Sequence, residues 1–419
     1  MSISGALNSA VSALNSQSSA LAMIATNLAN SSTVGYKTVS ASFSTLLSGD
    51  GSKSASGSSG GVKVASLTNV GAQGLPMTSS VSTNMAISGS GFFVVASGPE
   101  ANDLKYTRNG EFAPDEQGYL VNNGQYLQGW PTDPSGNVVG GANSGSLEAI
   151  DVDKFSTIAG ATTKVGMVAN LPADAAICTQ YTSSLEIFDS LGTAATTTVT
   201  WEKTAQNAWT ATFSDPVSST SGLPVGTVPA TPIAITFDGT GNLLTPAAAP
   251  SLAVTWTTGA TASTIALNMG EAGTKTGLSQ LTTGTTTAKV DLQTTQDGVA
   301  FGALSQISIG ENGTVMANYN NGMSQAIYKV SVATFANPNG LTGSSGGLYS
   351  QNAESGTSTL RIAGENGAGN VLGSTLEMST TDTNKEFASM MAAQQAYSGS
   401  AQVMSSANKM FDTLIGAVR

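Results

Sequence analysis

Residues 4–38 read SGALNSAVSALNSQSSALAMIATNLANSSTVGYKT. Leu7, Leu14, Leu21 and Leu28 recur every seven residues, and Ile3, Ala10, Gln17 and Ile24 fill the complementary positions. Apolar residues at this period fall on one side of an α-helix and make a coiled-coil type of seam, with Gln17 its polar member. Asn30, Ser31 and Gly35 are stop signals. The spacing therefore predicts a helix over residues 3–29, roughly 40 Å long at 1.5 Å per residue. Its other face is Ser, Asn, Gln and Thr, and Met1 to Gly35 carries no charged side chain. The polar face of a surface helix usually carries charged residues as well. Nor is the segment a membrane span. Its longest apolar run, Ala20 to Ala25, is far short of the roughly 18 residues a bilayer requires.

The other end of the chain has the same period. Met390, Tyr397, Met404, Phe411 and Val418 recur every seven residues, with Phe387, Gln394, Ala401, Asn408 and Ile415 between them. Thr383 is placed to cap this helix, with Glu386 three residues on as in a capping box. The helix is expected to run from 384 to Arg419, interrupted only by Gly399 and Gly416. Each stripe is narrow, and two lone helices bury too little apolar area to offset their ordering entropy. The stripes can be covered in two ways, by an antiparallel hairpin of the two ends or by helices from further copies.

Between the ends the period changes. GFFVVA, TTTVTW, AWTATF, IAITF and LAVTWT are β-branched and aromatic runs. RNGEF, NNGQY, DPSGN, FDGTGN, ENGT and NPNG mark turns. These predict all-β sandwiches or barrels. Residues 72–150 are rich in Gly, Asn and aromatics, 151–291 in Thr and Ala, and 292–350 return to the first texture. That pattern is expected of a domain inserted into another. It divides the chain into a terminal helical domain (1–33 with 384–419), a connector (34–71 with 357–383), an inner β domain (72–150 with 292–356) and an inserted outer β domain (151–291). Residues 49–61, GDGSKSASGSSGG, read as a flexible linker.

Composition excludes several kinds of chemistry. The 419 residues carry a net charge of −11, with no His and one Cys. An acidic chain without clustered Lys and Arg is a poor partner for nucleic acid. A disulfide within the chain, a Cys/His zinc site and any His-based triad are all impossible. Cys178 reads as a small buried apolar side chain. Charged residues make up 10%, against about a quarter in ordinary globular proteins. The start lacks a basic n-region, so the expectation is a cytosolic protein or one exported without a cleaved leader. No phosphate loop is present, and GSGFFV at 89–94 lacks the third glycine of a dinucleotide fingerprint. Asp151 and Asp153 would share one face of a strand at a solvated edge. Arg108 and Glu111 would face each other across a turn as a surface ion pair. No pair of carboxylates stands out as a hydrolase site. The expectation is no enzyme, no cofactor, no metal and no membrane insertion.

One resemblance adds to this reading. ALNSAVSALNSQSSALAMIATNLANSSTVGYKT is similar to the signature of the rod and hook axial proteins of the bacterial flagellum. MAISGSGFFVV (85–95), YTRNGEFAPDEQGYLVNNGQYLQGWPTD (106–133), VATFANPNGL (332–341) and the C-terminal block resemble the family's further motifs, in the expected order. Asn27, Asn30, Gly35, Tyr36, Gly91, Phe92, Phe93, Arg108 and Gly110 fall on those motifs. The resemblance implies β domains nested between terminal helices that line the channel of a helical tube. A wall of Ser, Asn and Thr would not hold charged chains passing through it. The resemblance also implies leaderless type III export to the flagellum outside the cell and ordering of the termini on assembly. Its partners would be further copies of the chain, the distal rod, hook cap and hook–filament junction proteins, and the export apparatus. The insertion at 151–291 points to a flexible, torque-transmitting hook member rather than a shorter, rigid distal rod member. A secreted β-rich adhesin is the alternative from another class. The seam expected to carry self-assembly is Leu7, Leu14, Leu21, Ile24, Leu28, Phe387, Met390, Tyr397, Met404, Phe411, Ile415 and Val418.

Overall fold

The computed structural model describes residues 3–47, 59–101, 103–284 and 289–417. Val418 and residues 49–58 of the Ser/Gly-rich segment lie outside them. The chain is mainly β, with one long helix at each end: α1 (Ile3–Ala29) and α2 (Thr383–Ala417). It divides into two compact units. The first comprises residues 1–154, 307–317 and 324–419, and the second 155–306 and 318–323. Residues 292–306 and 318–323, read from composition as inner β domain, thus pack in the second unit.

In the first unit α1 and α2 pack together. They run antiparallel, since Asn27 near the end of α1 hydrogen-bonds Glu386 in the first turn of α2. An antiparallel ribbon, Val39–Leu47 with Ser59–Thr68, also packs on α1. The neutral polar face of α1 is used there: Ser16 Oγ donates to the Val62 carbonyl (3.3 Å) and Ser12 Oγ accepts the Val62 N–H (3.2 Å). Hydroxyls can bond a strand's backbone without the desolvation cost of a buried charge. The cap of α2 is Asp382, one residue before the expected Thr383. Its Oδ1 accepts the N–H of Asn384 (2.9 Å) and Lys385 (3.2 Å), and its charge suits the positive end of the helix dipole.

The β body of this unit is built on Phe92–Ala96, whose five residues are all buried. It lies between Lys105–Thr107 and Gln125–Pro131, with Ser324–Thr334 beyond. Phe92, Tyr106, Phe335 and Tyr349 form an aromatic cluster with ring centroids 4.8–5.8 Å apart. Such edge-on pairs add to the burial of the rings themselves.

The second unit has two six-stranded sheets. One runs Gly226–Thr227, Ser251–Trp256, Ser263–Asn268, Lys164–Asn170 and Leu278–Ser279, with Gln293–Gln296 also on Lys164–Asn170. The other runs Gln180–Phe188, Ala194–Ala205, Ala208–Phe213, Ile233–Phe237 and Leu243–Thr245, with Val217–Ser218 on Ala194–Ala205. Along Ala194–Ala205 burial alternates, with Ala195, Thr197, Val199, Trp201 and Lys203 inward. That is the period of a strand with one face on a core. Both sheets supply one core containing Trp201, Trp209, Trp256, Leu185, Ile235, Val254 and Leu267. Lys203 reaches the edge of this core, where its Nζ donates to the carbonyls of Ala173 (2.7 Å) and Ala175 (2.8 Å).

Four turns share the pattern Asp-x-x-Gly-x, at Asp115, Asp133, Asp189 and Asp238. In each, Asp Oδ1 accepts the N–H groups two and four residues on, at 2.8–3.0 Å. The glycine takes a left-handed conformation. At Gly241 (φ +84) a Cβ would also lie 2.2 Å from the Gln280 carbonyl, so glycine is required twice over.

Three sequence expectations are corrected. Asp151 and Asp153 do not share a strand face: Asp151 is buried and its Oδ1 accepts the Asp153 N–H (3.0 Å), while Asp153 is exposed at the start of a short 3-10 turn. Cys178 is exposed rather than buried. It sits in a left-handed turn (φ +69) with its N–H bonded to the Lys203 carbonyl, which directs its side chain outward. Arg108 is no surface residue, as described below. Among the described residues no group of three or more metal-ligating side chains gathers, and no helix is long and apolar enough to cross a membrane.

Candidate self-assembly site

The residues picked out by sequence meet where the two helices join the β body. Asn27, in the last turn of α1, is buried and uses its whole amide. Nδ2 donates to the Val39 carbonyl (2.8 Å) and to Glu386 Oε1 (3.2 Å). Oδ1 accepts the Val39 N–H and the Tyr36 hydroxyl, both at 3.0 Å. One side chain thus joins the end of α1, the start of the ribbon, the connecting loop and the first turn of α2. Burial, and then Glu386, raise the Tyr36 pKa, so the hydroxyl stays a donor. Asn30 Nδ2 donates to the Thr26 carbonyl (2.9 Å) and closes the helix end.

Gly35 follows with φ +69. A Cβ there would lie 2.7–2.9 Å from the Arg108–Asn109 backbone, so only glycine permits this approach. Gly110 is equally confined: its carbonyl accepts the Met85 N–H (3.0 Å), and a Cβ there would collide with the Met85 carbonyl. Gly91 (φ +136) lies against Val332, and Phe92 and Phe93 are buried in the central strand.

Beneath Gly35 is a buried ion cluster. The Glu377 carboxylate accepts from Lys37 Nζ, from the Gly74 N–H (2.7 Å) and from Arg108 Nη1 (3.1 Å). The side chains of all three charged residues are at most 2% exposed. Two cations face one carboxylate, and backbone carbonyls take up further donors, while Arg108 Nε is buried without a partner. Lys37 also donates to Ala72, and Arg108 to Ile87 (3.3 Å) and Gly89 (2.8 Å). The Phe92 ring lies 5.2 Å from the Arg108 guanidinium. Burial lowers the pKa of Lys37 and Glu377 opposes that shift; the same two effects act on Arg108. The surface pair of Arg108 with Glu111 is therefore replaced by a buried pair with Glu377, 269 residues away in sequence.

Seam positions are less completely covered than their period suggests. Leu7, Leu14, Leu21, Ile24 and Leu28 are half-buried, while the fully buried positions of α1 are Ala10, Ser16, Ala20 and Asn27. On α2, Ala393 and Ala407 are buried and Met390, Met404 and Phe411 half-buried. Phe387 (50%), Tyr397 (43%) and Ile415 (61%) are exposed. The helices close on small residues and leave large ones outside. Sequence reasoning missed Lys37, Glu377 and Asp382. The available signal was an isolated charge between Leu376 and Met378 in a chain with few charges.

An uncharged helix at one end and a sparsely charged helix at the other, clamped at their base to a β body with large apolar side chains left exposed, are features of a structural subunit. Comparison with known proteins gives the lineage. Residues 159–397, more than half of the chain, match the family described as Flagellar basal body protein FlaE D2 domain. Residues 86–167 match the Flagellar hook protein FlgE/F/G D1 domain, and 7–37 the Flagella basal body rod protein family. The chain is 32% identical to the flagellar hook protein FlgE of Rhizobium meliloti (strain 1021), over the full length of both. It is 31% identical to that of Escherichia coli (strain K12), over 98% of this chain and 99% of the relative. The crystal structure of Helicobacter pylori flagellar hook protein FlgE2 shares the fold, with a TM-score of 0.53 at 15% identity over 70% of this chain and 98% of that one. The chain belongs to the flagellar hook protein family, which is structural and not an enzyme family.

Proposed function

We propose that this chain is the subunit of a flagellar hook that polymerises through its terminal helices into a flexible tube and transmits torque from motor to filament. The exposure of Phe387, Tyr397 and Ile415 on α2 carries this reading. Burying such a side chain fully contributes roughly 1.5–3 kcal/mol, so each copy has a strong incentive to seat its helices against others. A heterologous contact that does not close on itself generates an open helical array. The terminal helices would line its channel, α1 with a neutral polar face, and the seam residues, with Val418 continuing the period, would form its inner layer. The second unit, rich in Thr and Ala, would slide against its neighbours in this reading. Leaderless export through the flagellar apparatus, and neighbours at the distal rod, hook cap and hook–filament junction, belong to the same reading.

Electron microscopy of the purified full chain under polymerising conditions tests this. Hollow, curved tubes are expected. Straight, rigid tubes would favour a rod-type subunit, and a chain that stays monomeric up to saturation would contradict the proposal.

A further inference from the structure

We propose that Lys37, Arg108 and Glu377, together with Asn27 and Tyr36, are positioning residues that set the direction in which the helical pair leaves the β body, and thereby the geometry with which one copy stacks on the next. The inference rests on the hook-subunit reading and deepens it. Residues 35–38 lead in from α1 and residues 377–380 lead out to α2. The two passages are bonded side by side. Gly35 N–H donates to the Glu377 carbonyl (2.7 Å), Thr380 N–H to the Tyr36 carbonyl (3.1 Å), and Thr38 N–H to Thr380 Oγ1 (2.9 Å). The Glu377 carboxylate then joins both passages to the body, receiving Lys37 from one side and Gly74 and Arg108 from the other. On the helix side, Asn27 and Tyr36 repeat the arrangement with Glu386.

Stability alone does not account for an ion cluster here. A buried ion pair replaced by apolar side chains of similar volume is often neutral or stabilising, because desolvation offsets the Coulomb attraction. What the charges add is a single arrangement. The planar guanidinium of Arg108 is held at once by Glu377, Ile87 and Gly89, and any tilt of the passage that carries Glu377 or Lys37 would strand a buried charge. Apolar side chains would tolerate several tilts at nearly equal energy. A subunit whose polymer magnifies each small angular error over many copies needs the former.

The test is the triple variant Lys37→Met/Arg108→Met/Glu377→Leu in the full chain, studied beside the wild type. The monomer should melt within a few degrees of wild type, yet its polymers should lose the uniform diameter and curvature of wild-type tubes or fail to form. Tubes that superpose on wild type would overturn the proposal. If the triple variant does not fold, Tyr36→Phe decides, since it removes only the hydroxyl that bonds Asn27. A measurable change in tube curvature supports the proposal, and none overturns it. Wild-type chains that form no tubes would refute the hook reading and this proposal with it, whereas normal wild-type tubes with unchanged variants refute the proposal alone.

Discussion

The terminal helices and the β-sandwich of the second unit treat their large side chains in opposite ways. In the sandwich, Trp201, Leu185, Ile187 and Leu267 are fully buried and the inward positions of each strand meet one core. In the helical pair the buried apolar residues are Ala10, Ala20, Ala393 and Ala407, while Phe387, Met391 and Ile415 are half or more exposed. Burial of apolar area is the main favourable term in folding, so the sandwich carries its stability within one chain. The helices carry theirs only in part, and under the proposed function other copies would supply the remainder. The same chain thus holds one region with a large apolar core of its own and one whose large side chains are partly left exposed.

Substitutions can break this comparison. The largest effect is expected from Trp201→Ala, which empties a fully buried site and should destabilise the second unit by about 3–5 kcal/mol. Calorimetry of the dilute monomer should show it directly, and an unchanged melting profile would mean that the sandwich core is not a single-chain property. Leu14→Asp or Leu21→Asp should act in the opposite sense. Each places a carboxylate in a seam, where an unpartnered charge costs several kcal/mol. Tubes should be lost in sedimentation and microscopy while the melting of the β units stays as in wild type; normal polymers would show that the seam is assigned to the wrong face.

The smallest effect is expected at an Asp-x-x-Gly turn. Hydrogen bonds from the Asn242 backbone and then the Thr240 side chain hold the Asp238 carboxyl far below the usual aspartate range. Its folded pKa is depressed relative to an unfolded value near 3.9. Its contribution is therefore present above that value and lost as pH falls through the folded one. The stability difference between wild type and Asp238→Ala should be constant above about pH 5 and shrink below about pH 4. A difference independent of pH would assign the turn's stability to its backbone alone.

Local features were legible in the sequence and distant partnerships were not. The heptads give the extent of α1, Ile3–Ala29, and the β-branched runs fall in Ala194–Ala205, Ala208–Phe213, Ile233–Phe237 and Ser251–Trp256. These signals are legible because each is set by a period within a few residues. The partner of Arg108 is not, because Glu377 reaches it only once the chain has returned from the second unit. The cap was misplaced by one residue because Asp382 and Thr383 are both capping types, and only geometry shows which oxygen meets the helix N–H groups. Cys178 follows a backbone conformation that its residue type does not signal. The even period of the seam marks a stripe, but not how much of it one chain covers.

Amide hydrogen exchange, measured residue by residue on the full chain as dilute monomer and as assembled polymer, tests the central claim most directly. Residues 3–33 and 384–417 should exchange quickly in the monomer and become protected in the polymer. Residues 180–213 in the sandwich should be protected to the same degree in both. Strong protection throughout both termini of the dilute monomer would contradict the account, because the helical pair would then be complete within a single chain.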